Sequence, residues 1–194
     1  MVALLLTGCA SQPNVYYTLT APAPTEQTKT SEPSASDLYT IASVNVPAPV
    51  DDTLLIVRQS DDRLMKLAHD RWTAPLGKQL GNALAVALTR ELGMPPLSKT
   101  QAAADSRVTS ISVDVQRFDL VPGQYAELAA VWQVSPMVTP SKTPKLICYT
   151  VARESVEPGV APLVKAQQQN IAKLAQAIVS GWQSGRVSAG TKCQ

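Results

Sequence analysis

Three spacings of apolar residues succeed one another along this 194-residue chain. The first is the short run of strand length. Leu38-Tyr39-Thr40-Ile41-Ala42-Ser43-Val44-Asn45-Val46 is stopped by Pro47-Ala48-Pro49, and Leu54-Leu55-Ile56-Val57-Arg58 is continuous, as in a buried central strand. Asp61-Asp62 supplies a turn, and Arg63 to Ala68 a short partner, so these two runs predict a hairpin. The second spacing is four. Leu76, Leu80, Leu84, Leu88 and Leu92, with Ala83 and Ala87 beside them, predict an amphipathic helix. Thr73 is placed to cap it and Pro75 to sit in its first turn, while Gly93 and Pro95-Pro96 end it. Gly77, Gly81, Ala85 and Ala87 predict close packing of that helix on a sheet. The third spacing is two. Alternation from Val108 to Phe118, the turn Pro122-Gly123, the run Tyr125 to Val134, a turn region from Pro136 to Pro144 and the run Lys145 to Arg153 predict a meander. Spacing of four returns from Val160 to Ser184, where Leu163, Val164, Gln167, Ile171, Leu174, Ala175, Ile178 and Trp182 share one face. The order β-β-β-α-β-β-β-α implies an α/β fold, a mixed β-sheet covered by two main helices.

The chain before residue 38 behaves differently. From Ser11 to Asp37 it is mostly Pro, Thr, Ser, Ala and Gln, too poor in large apolar groups to offset the entropy of ordering, and reads as a tether. The exception is Val15-Tyr16-Tyr17-Thr18-Leu19, a β-prone island that either docks as an edge strand or stays mobile. Ahead of it, Met1-Val2-Ala3-Leu4-Leu5-Leu6 leads into Thr7-Gly8-Cys9. That stretch is far shorter than the roughly 20 apolar residues a bilayer crossing takes. It resembles a bacterial lipoprotein signal peptide with its lipobox, in which small residues admit the peptidase and the cysteine thiol then carries a lipid of the palmitate kind. No Lys or Arg precedes the apolar run, where such a peptide normally has a basic start; a start codon placed too late, or a shortened sequence, explains that. The division is therefore signal segment 1–8, lipidated Cys9 and tether 9–37, and one α/β domain 38–194. A tether of about 28 residues reaches on the order of 30 Å by random-coil scaling.

Composition narrows the function. Charged residues are 16% of the chain and the net charge is +2, with no Lys/Arg cluster, which argues against nucleic acid as a partner. One histidine leaves little for His-based catalysis or metal binding. His69-Asp70-Arg71 is the one place where histidine and carboxylate adjoin, yet sequence neighbours point to different sides, and the segment reads as a loop into the first helix. Asp51-Asp52 and Asp61-Asp62 read as solvated turn residues. No catalytic set, cofactor motif or metal-ligand spacing is present. If Cys9 is lipidated, Cys148 and Cys193 are left either as a disulfide tying the C-terminal tail to a strand or as two independent thiols. Trp72 reads as a core staple at the helix start, with Arg71-Trp72 as the competing partner contact.

Taken in order, the lipobox, Tyr16-Tyr17-Thr18-Leu19, the strand ending at Pro47, the apolar strand at Leu54 to Val57, and Arg71-Trp72-Thr73-Ala74-Pro75-Leu76 opening a leucine-rich helix resemble the PqiC/YmbA-like family of ABC-type transport auxiliary lipoproteins. The resemblance implies a fold similar to the anticodon-binding-like and TolB N-terminal arrangement, and no catalytic residue. It also implies a periplasmic, lipid-anchored role in lipid trafficking and envelope integrity beside an MCE (mammalian cell entry) protein anchored in the inner membrane, with self-association into a homo-oligomer. Ala10 is not the aspartate associated with inner-membrane retention, so the resemblance favours the outer membrane. Tyr16, Tyr17, Arg71 and Trp72 are its candidate partner-binding residues.

Two other readings compete. A lipid- or small-molecule-binding module would need a pocket between helices and sheet, lined by Leu80, Leu84, Val131 and Ile171. An envelope hydrolase would need a nucleophile beside His69.

Overall fold

The computed structural model describes residues 12–21, 38–103, 108–137 and 145–194. Cys9, the signal segment, most of the tether and residues 138–144 of the Pro-rich turn lie outside them. In chain order the elements are β1 (Val15–Tyr17), β2 (Tyr39–Asn45), β3 (Leu54–Ser60), β4 (Arg63–Trp72), α1 (Leu76–Leu92), the short α2 (Lys99–Ala103), β5 (Thr109–Val121), β6 (Tyr125–Pro136), β7 (Leu146–Ser155), α3 (Val160–Ser184) and β8 (Thr191–Cys193).

The strands divide between two sheets. The larger has the order β2-β5-β6-β7-β8, with β2 parallel to β5 and the rest antiparallel. Its central members carry the period-two pattern, so Val113, Trp132 and Cys148 stand in register on the face that α3 covers. Trp132 is fully buried there, its indole N–H donating to Thr150 Oγ1 at 2.8 Å. A Cβ on Gly181 would lie 2.8 Å from the Trp132 ring, so the close approach of α3 to the sheet depends on glycine at that position. The α1 leucine stripe packs into the same core, with Leu76, Leu80, Leu84, Leu88 and Leu92 all buried. Gly123, with φ 69°, turns β5 into β6.

The smaller sheet has the order β1-β4-β3. β3 and β4 form the expected hairpin, but β4 continues through His69, Asp70 and Arg71 to Trp72, which are strand residues and not a loop. The reason is pairing on both sides. Arg71 stands between Leu54 of β3 and Tyr16 of β1, so these polar residues find ladder partners. The Val15–Leu19 island is therefore docked, with Leu19 in the core at 1% exposure.

Two local expectations are corrected. Thr73 does not cap α1. Pro75 holds the N-cap position, and Asp51 Oδ1 accepts the Gly77 N–H at 2.9 Å from the β2–β3 connection. An acceptor reaching in from another segment has taken over the work of the local one, so Asp51 is more than a solvated turn residue. Gly77 packs near Val46, but a Cβ on Gly81 would meet nothing within 4 Å, so the small-residue stripe is not uniformly a packing surface.

Candidate functional site

The most distinctive local structure is the way residues 15–21 are fastened across the two main helices. Three β1 residues pair in parallel with β4, and the Thr73 N–H extends the ladder to the Tyr17 carbonyl at 3.1 Å. Leu19 then inserts between α1 and the rest of the core, which brings buried polar groups with it. Gln79, 6% exposed on the leucine face of α1, satisfies them: its Oε1 accepts from the Leu19 N–H at 3.1 Å and from Thr18 Oγ1 at 3.2 Å. The Gln79 amide in turn donates to Thr73 Oγ1. From α3, Gln168 Nε2 donates to the Thr18 carbonyl at 3.0 Å, and from the end of α1 Arg90 donates to the Ala21 carbonyl at 2.9 Å. This is a strap: two helices and a strand hold the segment that follows Cys9.

The same arrangement brings together the four candidate partner-binding residues. Tyr16 is opposite Arg71 and Tyr17 opposite Trp72 in the β1–β4 register. Their environments differ. Trp72 is 3% exposed and meets the Phe118 ring edge-on at 6.4 Å, so it is core. Tyr17 packs partly against that core, and burial, reinforced by the Asp70 carboxylate, pushes its hydroxyl pKa up. Arg71 has its Nε buried without a hydrogen-bond partner. Tyr16, 61% exposed, is the member of the set that a partner could reach.

Strap, α1 and α3 together border a groove of about 650 Å³ with largely apolar walls that include Ala83, Val86, Ala87, Val164 and Ile171. The deep pocket expected from Leu80, Leu84, Val131 and Ile171 does not form. Leu80 and Leu84 fill the core, and Val131 stands beside Asp114 and Tyr149, one residue out of phase with inward-facing Trp132, so only Ile171 lines the groove.

At the far end of the large sheet a second polar cluster is structural. A bulge between Val115 and Arg117 rephases β5, placing Asp119 directly opposite Glu127, both about 95% buried. Such a like-charge pair is unfavourable unless neutralised. Arg58 bonds Asp119 at 2.9 Å and Arg153 Nε bonds Glu127 at 2.6 Å, with Arg117 bridging the two acids at 3.8 and 3.5 Å. Arg153 also lies over the Tyr125 ring at 4.0 Å. Across from the sheet, Gln167 and Asn170 of α3 donate to the Asp119, Glu127 and Ala126 carbonyls, locking the helix to the hairpin.

Cys148 and Cys193 face each other in the β7–β8 ladder and are bonded, with Cα atoms 4.0 Å apart. Among the described residues no group of three or more His, Cys, Asp or Glu side chains is placed to hold a metal, and no helix is long and apolar enough to cross a membrane. His69 lies in β4, its imidazole partly exposed.

The architecture is an α/β core with the segment 15–21 strapped across its two main helices. The chain belongs to the family of ABC-type transport auxiliary lipoprotein components, whose family model matches residues 17–179, from within β1 to near the end of α3. No curated protein matches the chain. Among solved structures it is similar to an uncharacterized protein with a TM-score of 0.67 and 17% identity, over 89% of this chain and all of the other. It is also similar to a protein from Xanthomonas campestris of the DUF330 family, with a TM-score of 0.59 and 14% identity, over 88% of this chain and 91% of the other. At these identities the likeness is one of fold.

Sequence reasoning missed Gln79 and Gln168 as strap holders. The signal for Gln79 was present, a polar residue inside an otherwise leucine and alanine face.

Proposed function

We infer that this protein is a non-catalytic, lipid-anchored auxiliary component of an ABC transport system of the MCE type, serving lipid trafficking and envelope integrity. Cys9 carries the anchor, and Ala10 after it directs the protein to the periplasmic face of the outer membrane. The folded part, residues 38–194 with the strap added, is the working module. The partner is an MCE-domain protein anchored in the inner membrane, met through Tyr16 on the β1 edge of the small sheet, and the module also associates with copies of itself.

The strap is the observation that supports this reading best. It fixes where residues 12–21 lie on the module, so an anchor a few residues upstream presents the same side of the module to the membrane. Solubilised membranes from cells carrying the tagged full chain provide the test. Co-purification of an MCE-domain protein, weakened by Tyr16→Ala, is the expected result. A Cys9→Ser chain is expected to leave the membrane fraction. Its retention there, or recovery of the wild-type protein without an MCE-domain partner, would sink the corresponding part of the proposal.

A further inference from the structure

We propose that the groove between the strap, α1 and α3 binds the acyl portion of an anionic phospholipid. Its volume of about 650 Å³ lies within the range of small-ligand sites, roughly 300–1,000 Å³. Its walls are short apolar side chains, Ala83, Val86, Ala87, Val164 and Ala172, which leave a trough where longer ones would fill it. Such a surface favours a flexible chain over a flat polar ligand, since it gains from desolvation and offers few directed hydrogen bonds.

Charge selects the head group. Arg90 and Lys165 are the charged members of the described lining, and no carboxylate is among them. Arg90 is committed to the strap through the Ala21 carbonyl, so Lys165 is the cation that meets the head group. A phosphate diester next to an acyl chain matches that combination of cationic rim and apolar floor.

Position supplies the third argument. Tyr16, on the groove wall, is seven residues from Cys9, and a chain of that length spans at most about 25 Å. An anchor at Cys9 therefore keeps the groove beside a bilayer surface, where phospholipid is the abundant amphiphile. This last step rests on the anchoring proposed above; the groove's chemistry does not.

The experiment uses the full chain with Cys9→Ser, free of any lipid of its own, and phosphatidylcholine vesicles doped with pyrene-labelled phosphatidylglycerol. Transfer of the probe to protein is read as loss of excimer emission. Saturable uptake is expected. Ala172→Trp, which fills the trough, should weaken it roughly a hundredfold, the worth of a few buried methylenes. Ala161→Trp at the exposed end of the same trough serves if Ala172→Trp melts abnormally. Lys165→Glu should weaken phosphatidylglycerol uptake by about fivefold, as for a partly exposed charge contact, and leave uptake of pyrene-labelled diacylglycerol unchanged. No saturable uptake by the parent chain, or full uptake by natively folded trough-filling variants, overturns the proposal. So does self-association abolished by Ala172→Trp without lipid uptake, which would assign the groove to a second copy. Retention of the Cys9→Ser chain in membranes would defeat the anchor and leave the groove result standing.

Discussion

The two sheets are made from similar residues and held by different means. In the larger, β5 and β6 pair along their whole length, α3 lies across the face, and the tail is stapled by a disulfide. In the smaller, β1 contributes three residues, and the exposed hairpin end shows Leu64 and Met65 to solvent. The large sheet's stability comes from a contiguous buried core. The small sheet shares that core through Leu55, Val57 and Trp72, but its outer strand β1 and the strap that follows are secured by side-chain amides and one leucine. Opening energies differ accordingly: long buried ladders approach the global unfolding energy, while short peripheral strands open alone. The part of the molecule nearest the proposed anchor is thus also the part most readily adjusted by a partner or a lipid.

The strongest way to probe the contrast is Trp132→Ala. Trp132 is fully buried, bonded to Thr150 and touched by the Gly181 face of α3. Its loss should cost about 3–5 kcal/mol and lower the melting temperature by roughly 10 °C or more, measured by calorimetry. A drop of only a degree or two would mean that the large sheet is not where stability resides. Next in size is the disulfide. Cys193→Ser opens a link between residues 45 apart in sequence and should cost about 2–4 kcal/mol in denaturant unfolding. Because β8 is the edge strand, its amides should lose protection ahead of those in β6.

Leu19→Ala tests the other side of the comparison. A buried leucine in a unified core costs about 2–5 kcal/mol on truncation. Here the strap can lift off instead, so the global transition should move by no more than about 1–2 kcal/mol, with exchange of the amides at position 19 and at Thr73 accelerating first. If β6 amides accelerate to the same degree, strap and large sheet are one cooperative unit and the contrast fails.

What could be read in the chain follows the same division. The helix from Val160 to Ser184 and the β5–β6–β7 meander were legible because they follow from local periodicity, and the leucine stripe gave α1 as surely. Partner choice was not. Nothing in Val15-Tyr16-Tyr17 says that it pairs in parallel with residues 70–72, because that register is set by a leucine finding a slot beside α1. The separation into two sheets, the capping of α1 by Asp51 and the pairing of β8 with β7 are likewise contacts between distant segments. Among the candidate site residues, the sequence favoured the core for Trp72, which the packing bears out, but it did not separate Tyr16 from Tyr17. Ladder phase decides that the tryptophan is core and that Tyr16 remains outside.

The smallest expected effect concerns pH and lies in the small sheet alone. Asp52 Oδ1 accepts the Leu54 N–H at 2.9 Å and Oδ2 meets Lys66 Nζ at 2.6 Å, the backbone bond first and the lysine second holding its pKa at about 2 against an ordinary 3.8. The folded value is the lower one, so between those two values the unfolded chain binds more protons than the folded one. The stabilisation is therefore complete above about pH 4 and is lost as pH falls toward 2. Exposure of both partners to solvent and salt keeps the effect small and local to the hairpin entry. Titration of the Asp52 carboxyl carbon by NMR should give a midpoint near 2, and Asp52→Asn should remove the acid-dependent exchange of the β3 amides while leaving β6 untouched. A midpoint near 3.8 would mean that the carboxylate is not engaged with Leu54 and Lys66 in solution, and that the hairpin entry holds its shape without that bond.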